Sequence, residues 1–133
     1  MIENNSRKAV INCDHVSKTF YNLSGDHLVV DDLNFKVYEN EFVVLFGPGQ
    51  CGKTTILNLI AGLELPTGGK ITVSGEEVTG PSPKRGMVYQ TTNLFMWYNV
   101  MKNVEFGQSV RGVPKKERRA RAQHYIDLVG LSG

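Results

Sequence analysis

Phe42 to Leu63 reads FVVLFGPGQCGKTTILNLIAGL. Its first five residues are all apolar with no polar alternation, the pattern of a strand buried on both faces in a parallel sheet. The next eight, GPGQCGKT from Gly47 to Thr54, fit G-x-x-x-x-G-K-[ST] at every fixed position. Lys53 to Ala61 then predicts a buried helix, and Gly62 suits its C-terminal cap. Strand, glycine loop and helix together are the setting in which this motif holds phosphate. Glycines let the loop wrap so that successive backbone N–H groups point at phosphate oxygens. The helix offers its free N–H groups and positive dipole end to the same anion. The candidate binding set is therefore Gly47, Pro48, Gly49, Gln50, Cys51, Gly52, Lys53, Thr54 and Thr55. Lys53 reaches the β- and γ-phosphates in such a loop, and the Thr54 hydroxyl holds Mg²⁺.

At 133 residues the chain is one domain or part of one. A formal charge of +2 is too mild to argue for nucleic acid. Cys13 and Cys51 form neither a metal pattern nor a disulfide framework, which points to a reducing cytosol. His15, His27 and His124 are scattered and read as structural or exposed. Apolar runs are far shorter than a membrane span. Met1 to Lys8 is polar with no signal-peptide core behind it. These features predict a soluble, cytoplasmic chain able to dock on a membrane protein.

Outward from the central stretch, residues 1–8 read as a loose tail. Ala9 to Phe20 carries strand residues broken by Asp14, and residues 22–26 are a turn. From Leu28 to Tyr38, Leu33, Phe35 and Val37 alternate with Asn34 and Lys36. That predicts a half-exposed strand, and the two segments together predict an antiparallel β layer. Beyond the helix, Lys70 to Thr79 reads as a hairpin around Ser74-Gly75-Glu76, and Gly86 to Gln90 as a short strand. From Asn99 the pattern turns helical. Pro114 fits the first position of a second helix, with Ala122, Tyr125, Ile126 and Val129 as one apolar stripe. The basic run Lys115, Lys116, Arg118, Arg119 and Arg121 reads as a solvated face. The expected divisions are a tail (1–8), a nucleotide-binding core with its antiparallel layer (9–98), and the start of a helical subdomain (99–133).

VSKTF (Val16 to Phe20), the phosphate loop, GLELPTGGKITVSG (Gly62 to Gly75), RGMVYQ (Arg85 to Gln90) and LFMWYNVMKNVEFG (Leu94 to Gly107) follow one another in an order that resembles the ATP-binding subunit of an ABC transporter. GPSPKRGMVYQ followed by LFMW is most similar to ATPases of the nitrate, sulfonate and taurine importers. The resemblance runs from Ala9 through nearly the whole chain. It implies an α/β fold: a P-loop NTPase-type parallel sheet with an N-terminal antiparallel β layer and the start of a helical subdomain, incomplete in this chain.

The resemblance also implies roles. Phe20 falls where the family places an aromatic that stacks on adenine, with Tyr21 as the neighbouring candidate. Gln90 falls at the glutamine loop, where the amide oxygen reaches Mg²⁺ and the attacking water. Lys53 and Gln90 would thus be the catalytic groups, and Thr54 and Gln90 the metal ligands. Residues 91–100, with Phe95, Met96 and Trp97, would face a transmembrane permease. A second ATPase subunit would complete a homodimer, and a periplasmic or surface substrate-binding protein would act indirectly. The ligands would be ATP and Mg²⁺, with no nucleic acid, at the cytoplasmic face of the membrane.

Departures set further expectations. The family has a small polar residue and then Gly where this chain has Gly49-Gln50. If Gln50 must adopt φ > 0, its side chain costs of order 1 kcal/mol. The signature sequence, the second acidic strand and the switch histidine are not found in this sequence. Leu28 to Asp32 imitates that acidic strand and Leu131 to Gly133 the start of the signature, both at the wrong place. The chain alone is therefore expected not to turn over ATP, and its apolar strand to promote self-association. The competing readings are a nucleotide-binding fragment without hydrolysis, a soluble ABC ATPase acting on nucleic acid or the ribosome, and a small-molecule P-loop kinase.

Overall fold

The structure is a computed structural model that describes residues 7–91 and 93–132. They form two compact units, divided between Met87 and Val88.

The first unit is built on a four-stranded sheet in the order β2-β1-β3-β4, antiparallel throughout. Strand β1 (Ala9–Phe20) pairs with β2 (His27–Tyr38) across the turn at 22–26, where the Gly25 amide donates to the Asn22 carbonyl. The expected alternation in β2 holds: Leu33, Phe35 and Val37 are half-buried, while Asn34 and Lys36 are exposed. Asp14 does not break β1. The strand continues through a bulge, with register shifting between Cys13 and Val16 and His15 at φ 50°. A bulge of this kind absorbs one extra residue without ending the ladder. Strand β3 (Gly68–Val73) pairs with the other edge of β1 and turns into β4 (Glu76–Glu77). Its two turn residues, Ser74 and Gly75, both have positive φ, the geometry whose twist suits a two-residue hairpin.

Helix α1 (Lys53–Ala61) and its cap at Gly62 form as expected. Gly62 is left-handed at φ 80°, and a Cβ there would meet the Gly80 carbonyl oxygen at 2.1 Å. Leu59 reaches the core with Cys13, Val16, Val30, Ile71 and Val78. The helix is not buried all round, however. Leu59 is its one buried residue and Leu57 is exposed, because only the sheet side of α1 is covered.

Residues 42–46 correct a second expectation. They form no strand, and Phe42 and Phe46 are 93% and 99% exposed. The apolar run marks a segment suited to burial, but a central strand exists only when neighbours take up its backbone N–H and C=O groups. None of the described strands pairs with it. The same holds for residues 86–90, which lie outside the sheet, with Val88 exposed. Of the expected tail, residues 1–6 lie outside the described residues. Arg7 and Lys8 face Glu41 and Glu39 at 3.7 and 3.8 Å.

The second unit contains α2 (Val100–Val110) and α3 (Lys115–Leu128), packed on each other. Asn99 caps α2 by accepting from the Lys102 amide at 2.9 Å. Pro114 takes the cap position of α3, one residue earlier than expected. Of the expected stripe on α3, Ala122 and Ile126 are buried, but Tyr125 and Val129 are exposed. α2 covers a narrower strip than the sequence pattern offers. Arg118 reaches across to the buried carboxylate of Glu105 at 3.2 Å.

Candidate phosphate loop and nucleotide site

Residues 47–52 carry the chain into α1 through two left-handed residues, Gln50 at φ 62° and Gly52 at φ 87°. Gly52 is the N-cap, and its carbonyl accepts the first helical bond, from the Ile56 amide at 2.9 Å. A Cβ at Gly52 would lie 3.0 Å from the Val29 carbonyl oxygen, so backbone conformation and crowding both require glycine. Gln50 has no such licence. The expected cost of a side chain in the left-handed region therefore falls on it.

The N-terminus of α1 fits an anion. It has no side-chain cap and no acidic residue in its first turn, so nothing of the helix's own competes for the leading N–H groups. The Lys53 ammonium is held inside the loop. It donates to the carbonyls of Gly47 at 2.9 Å and Pro48 at 2.5 Å, and lies 3.3 Å from the Cys51 sulfur. A Cβ at Gly49 would meet nothing within 4 Å, which leaves the outer side of the loop open. Thr54 is exposed at the helix start, and Thr55 is half-buried. No group of three or more His, Cys, Asp or Glu side chains among the described residues could cage a metal. A Mg²⁺ bound mainly by substrate phosphates and one hydroxyl needs no such cage.

Phe20 ends β1, paired with His27 and half-buried, while Tyr21 beside it is exposed. The Lys18 ammonium sits over the Phe20 ring, 4.8 Å from its centroid. It donates to Glu64 Oε2 at 2.9 Å and to the Leu65 carbonyl at 2.8 Å. This clamp was missed by the sequence reading, because its partners lie more than forty residues apart and follow no local pattern. Gln90 belongs to the second unit and is exposed at a bend.

In the second unit Asn103 ties residues 95–99 to α2. Its Oδ1 accepts from the Phe95 amide, and its Nδ2 donates to the carbonyls of Phe95, Tyr98 and Asn99. Phe95 packs on Phe106 with centroids 4.4 Å apart. Met96 and Trp97 stay 87% and 75% exposed. Leu94, Phe95, Met96, Tyr98, Val100 and Val104 line an apolar groove of about 390 Å³. Thr92, within the expected permease-facing stretch, lies outside the described residues.

The sequence model of one family, described as ABC transporter, matches residues 30–133. The chain belongs to the ABC transporter family. It is 44% identical over 127 residues to an uncharacterized ABC transporter ATP-binding protein of Methanocaldococcus jannaschii, covering 95% of this chain and 47% of that one. It is 43% identical over 116 residues to the nitrate import ATP-binding protein NrtD of a Synechocystis strain, covering 87% and 44%. It is 38% identical over 122 residues to the taurine import ATP-binding protein TauB of Roseobacter denitrificans, covering 91% and 46%. The chain thus spans about half the length of these curated relatives. Its backbone matches a dimeric ATP-binding cassette solved in a post-hydrolysis state with ADP and Pi, at a TM-score of 0.77 and 26% identity. That match covers 88% of this chain and 56% of the cassette.

Of the nitrate, sulfonate and taurine importers that GPSPKRGMVYQ followed by LFMW resembles, the nitrate and taurine ones are thus found among the relatives. The ABC transporter fold is present here as its antiparallel β layer, its phosphate-loop helix and the helices that follow. No helix among the described residues is long and apolar enough to cross a membrane.

Proposed function

We propose that this chain is the nucleotide-binding part of an ABC importer's ATPase subunit and holds MgATP at the loop 47–55. The observation that carries the reading is the Lys53 ammonium lodged in a glycine loop at an uncapped, carboxylate-free helix N-terminus. Backbone N–H groups of residues 47 and 49–55 would surround the phosphates, Pro48 having none to give. Lys53 would exchange its bonds to the Gly47 and Pro48 carbonyls for bonds to phosphate oxygens, in which donor and acceptor both carry charge. Thr54 would supply the hydroxyl to Mg²⁺, and Gln90 the amide oxygen to Mg²⁺ and the attacking water. Phe20 would stack on the adenine.

In the whole protein this site would drive import. A second ATPase subunit would complete the dimer, and a transmembrane permease would seat against residues 91–100, where Met96 and Trp97 stand exposed. A periplasmic or surface substrate-binding protein would deliver cargo. The subunit would be peripheral, at the cytoplasmic face of the membrane. Residues 9–98 would form the nucleotide-binding core, and 99–133 the start of the helical subdomain. Hydrolysis also needs a general base for the water that Gln90 would contact, and no carboxylate of this chain is assigned that role.

The test is calorimetric titration of MgATP into wild type and Lys53→Ala. Loss of a charge-assisted contact of roughly 1.5–3 kcal/mol lowers affinity about 10- to 150-fold. Equal affinities would refute the phosphate site.

A further inference from the structure

We propose that Lys18 is a positioning residue for the nucleotide base. It acts through Phe20 and is held by the loop that leaves the phosphate-binding helix. This rests on the reading of residues 47–55 and Phe20 given above and adds a connection between the two ends of that site.

Lys18 is buried to 9% exposure, yet all three of its ammonium protons have somewhere to go. Glu64 Oε2 accepts at 2.9 Å, the Leu65 carbonyl accepts at 2.8 Å, and the Phe20 ring lies beneath the nitrogen at 4.8 Å. Both oxygens belong to the loop that α1 releases at Gly62. There the Leu63 and Glu64 amides donate back to the Asn58 carbonyl at 2.9 and 3.3 Å. Two residues on, Thr67 continues the stitching. Its amide and hydroxyl donate to the Ser17 carbonyl at 2.9 and 3.2 Å, and its oxygen accepts from the Thr19 amide at 3.1 Å. Residues 17–20, which carry the ring, are thereby fastened to the loop following the helix whose other end is the phosphate site.

Stability alone gives weak reason for this arrangement. The Lys18 end of the ion pair is buried while Glu64 is part-exposed, and a cation taken out of water is often matched in stability by an apolar residue of the same volume. A methionine would fill the space under Phe20. What an apolar replacement cannot reproduce is the fixed pose. The four-carbon stem of Lys18 is pinned at its tip by Glu64 and Leu65, and the cation then holds one face of the ring. A flat aromatic base would take the opposite face of the half-buried ring, and a fixed ring loses less entropy on binding it than a mobile one.

The experiment measures dissociation constants for ATP and for inorganic tripolyphosphate in wild type, Lys18→Met, Phe20→Ala and the double variant. Stacking on one aromatic accounts for a substantial part of a base's affinity. Lys18→Met is expected to weaken ATP about 5- to 10-fold and to leave tripolyphosphate within about 2-fold, because its effect runs through the base. In the Phe20→Ala background the same substitution should change ATP affinity less than about 2-fold. An equal loss for both ligands, no loss for either, or an undiminished effect without Phe20 would overturn the proposal. Wild type that prefers ATP no more than tripolyphosphate would overturn the Phe20 reading and this proposal with it, and would leave the phosphate loop standing. If Lys53→Ala weakened neither ligand, the loop reading itself would fall.

Discussion

Gln50→Gly should make the protein more stable, the reverse of what glycine usually does. Gln50 sits at φ 62° with its side chain exposed, so the side chain contributes no burial to offset the strain. A residue with a Cβ in the left-handed region costs about 1–2 kcal/mol. Glycine removes that cost but gives the unfolded chain more freedom, worth about 0.4–1 kcal/mol in the other direction. The difference favours the variant by about 0–1.6 kcal/mol, centred on about 0.8 kcal/mol. At a position with ordinary negative φ only the second effect would act, and the variant would lose up to 1 kcal/mol. The sign is therefore decisive. Urea denaturation followed by circular dichroism reads it as a midpoint shifted upward at unchanged slope. Gln50→Ala is the control, since alanine keeps the Cβ and the strain, and should leave the midpoint near wild type. A lower midpoint for Gln50→Gly would refute the left-handed geometry of the loop.

Alkylation should reach Cys51 well before Cys13, and bound nucleotide should slow it. Cys51 is exposed in the loop, whereas Cys13 is buried and its pKa is pushed up to about 11, which starves it of thiolate. Faster labelling of Cys13, found by mass spectrometry of the modified peptides, would count against the fold of β1. The bulge should carry a pH dependence. The His15 pKa is raised by its 2.6 Å hydrogen bond to Asp32 and by the charges of Asp32 and Asp14. A raised folded-state pKa means the pair's contribution is fully present below the ordinary histidine value of about 6.5 and is lost as pH rises through the raised value. An NMR titration should show the His15 pKa dropping in Asp32→Asn, and an unchanged value would sink this reading.

What could be read in the sequence was whatever local rules govern. Gly52-Lys53 and Gly62 bracket α1 because caps act within one turn. The alternation of Leu33, Asn34, Phe35, Lys36 and Val37 shows β2 because a strand's two faces differ residue by residue. The run at 42–46 shows how far such rules reach. Apolarity says that a segment suits burial, but pairing depends on neighbours the segment does not encode. The His15 bulge was invisible because backbone conformation at one polar residue leaves no composition signal. At the site, the motif marked the candidate phosphate loop and the conditional strain at Gln50. The Lys18, Glu64 and Phe20 clamp is tertiary, and no window of sequence holds it.

The core of the first unit draws on nothing beyond Val78 among its described members. Its sheet comes from two hairpins, β1-β2 and β3-β4, paired through β1 and β3, and α1 lies between them in the chain. That fixes an order of events on the ribosome. At about 5–20 residues added per second, domains fold from the N-terminal side as they emerge. The β layer can close around Val16, Leu59 and Ile71 once Val78 is clear of the exit tunnel, while α2 and α3 are still inside it or unmade. The antiparallel layer is then a finished platform. The apolar segment at 42–46, with Phe42 and Phe46 exposed, is then open to a chaperone or a second nascent chain. Substitutions in residues 9–78 would act on the first folding step, and those in 88–132 only after the platform exists.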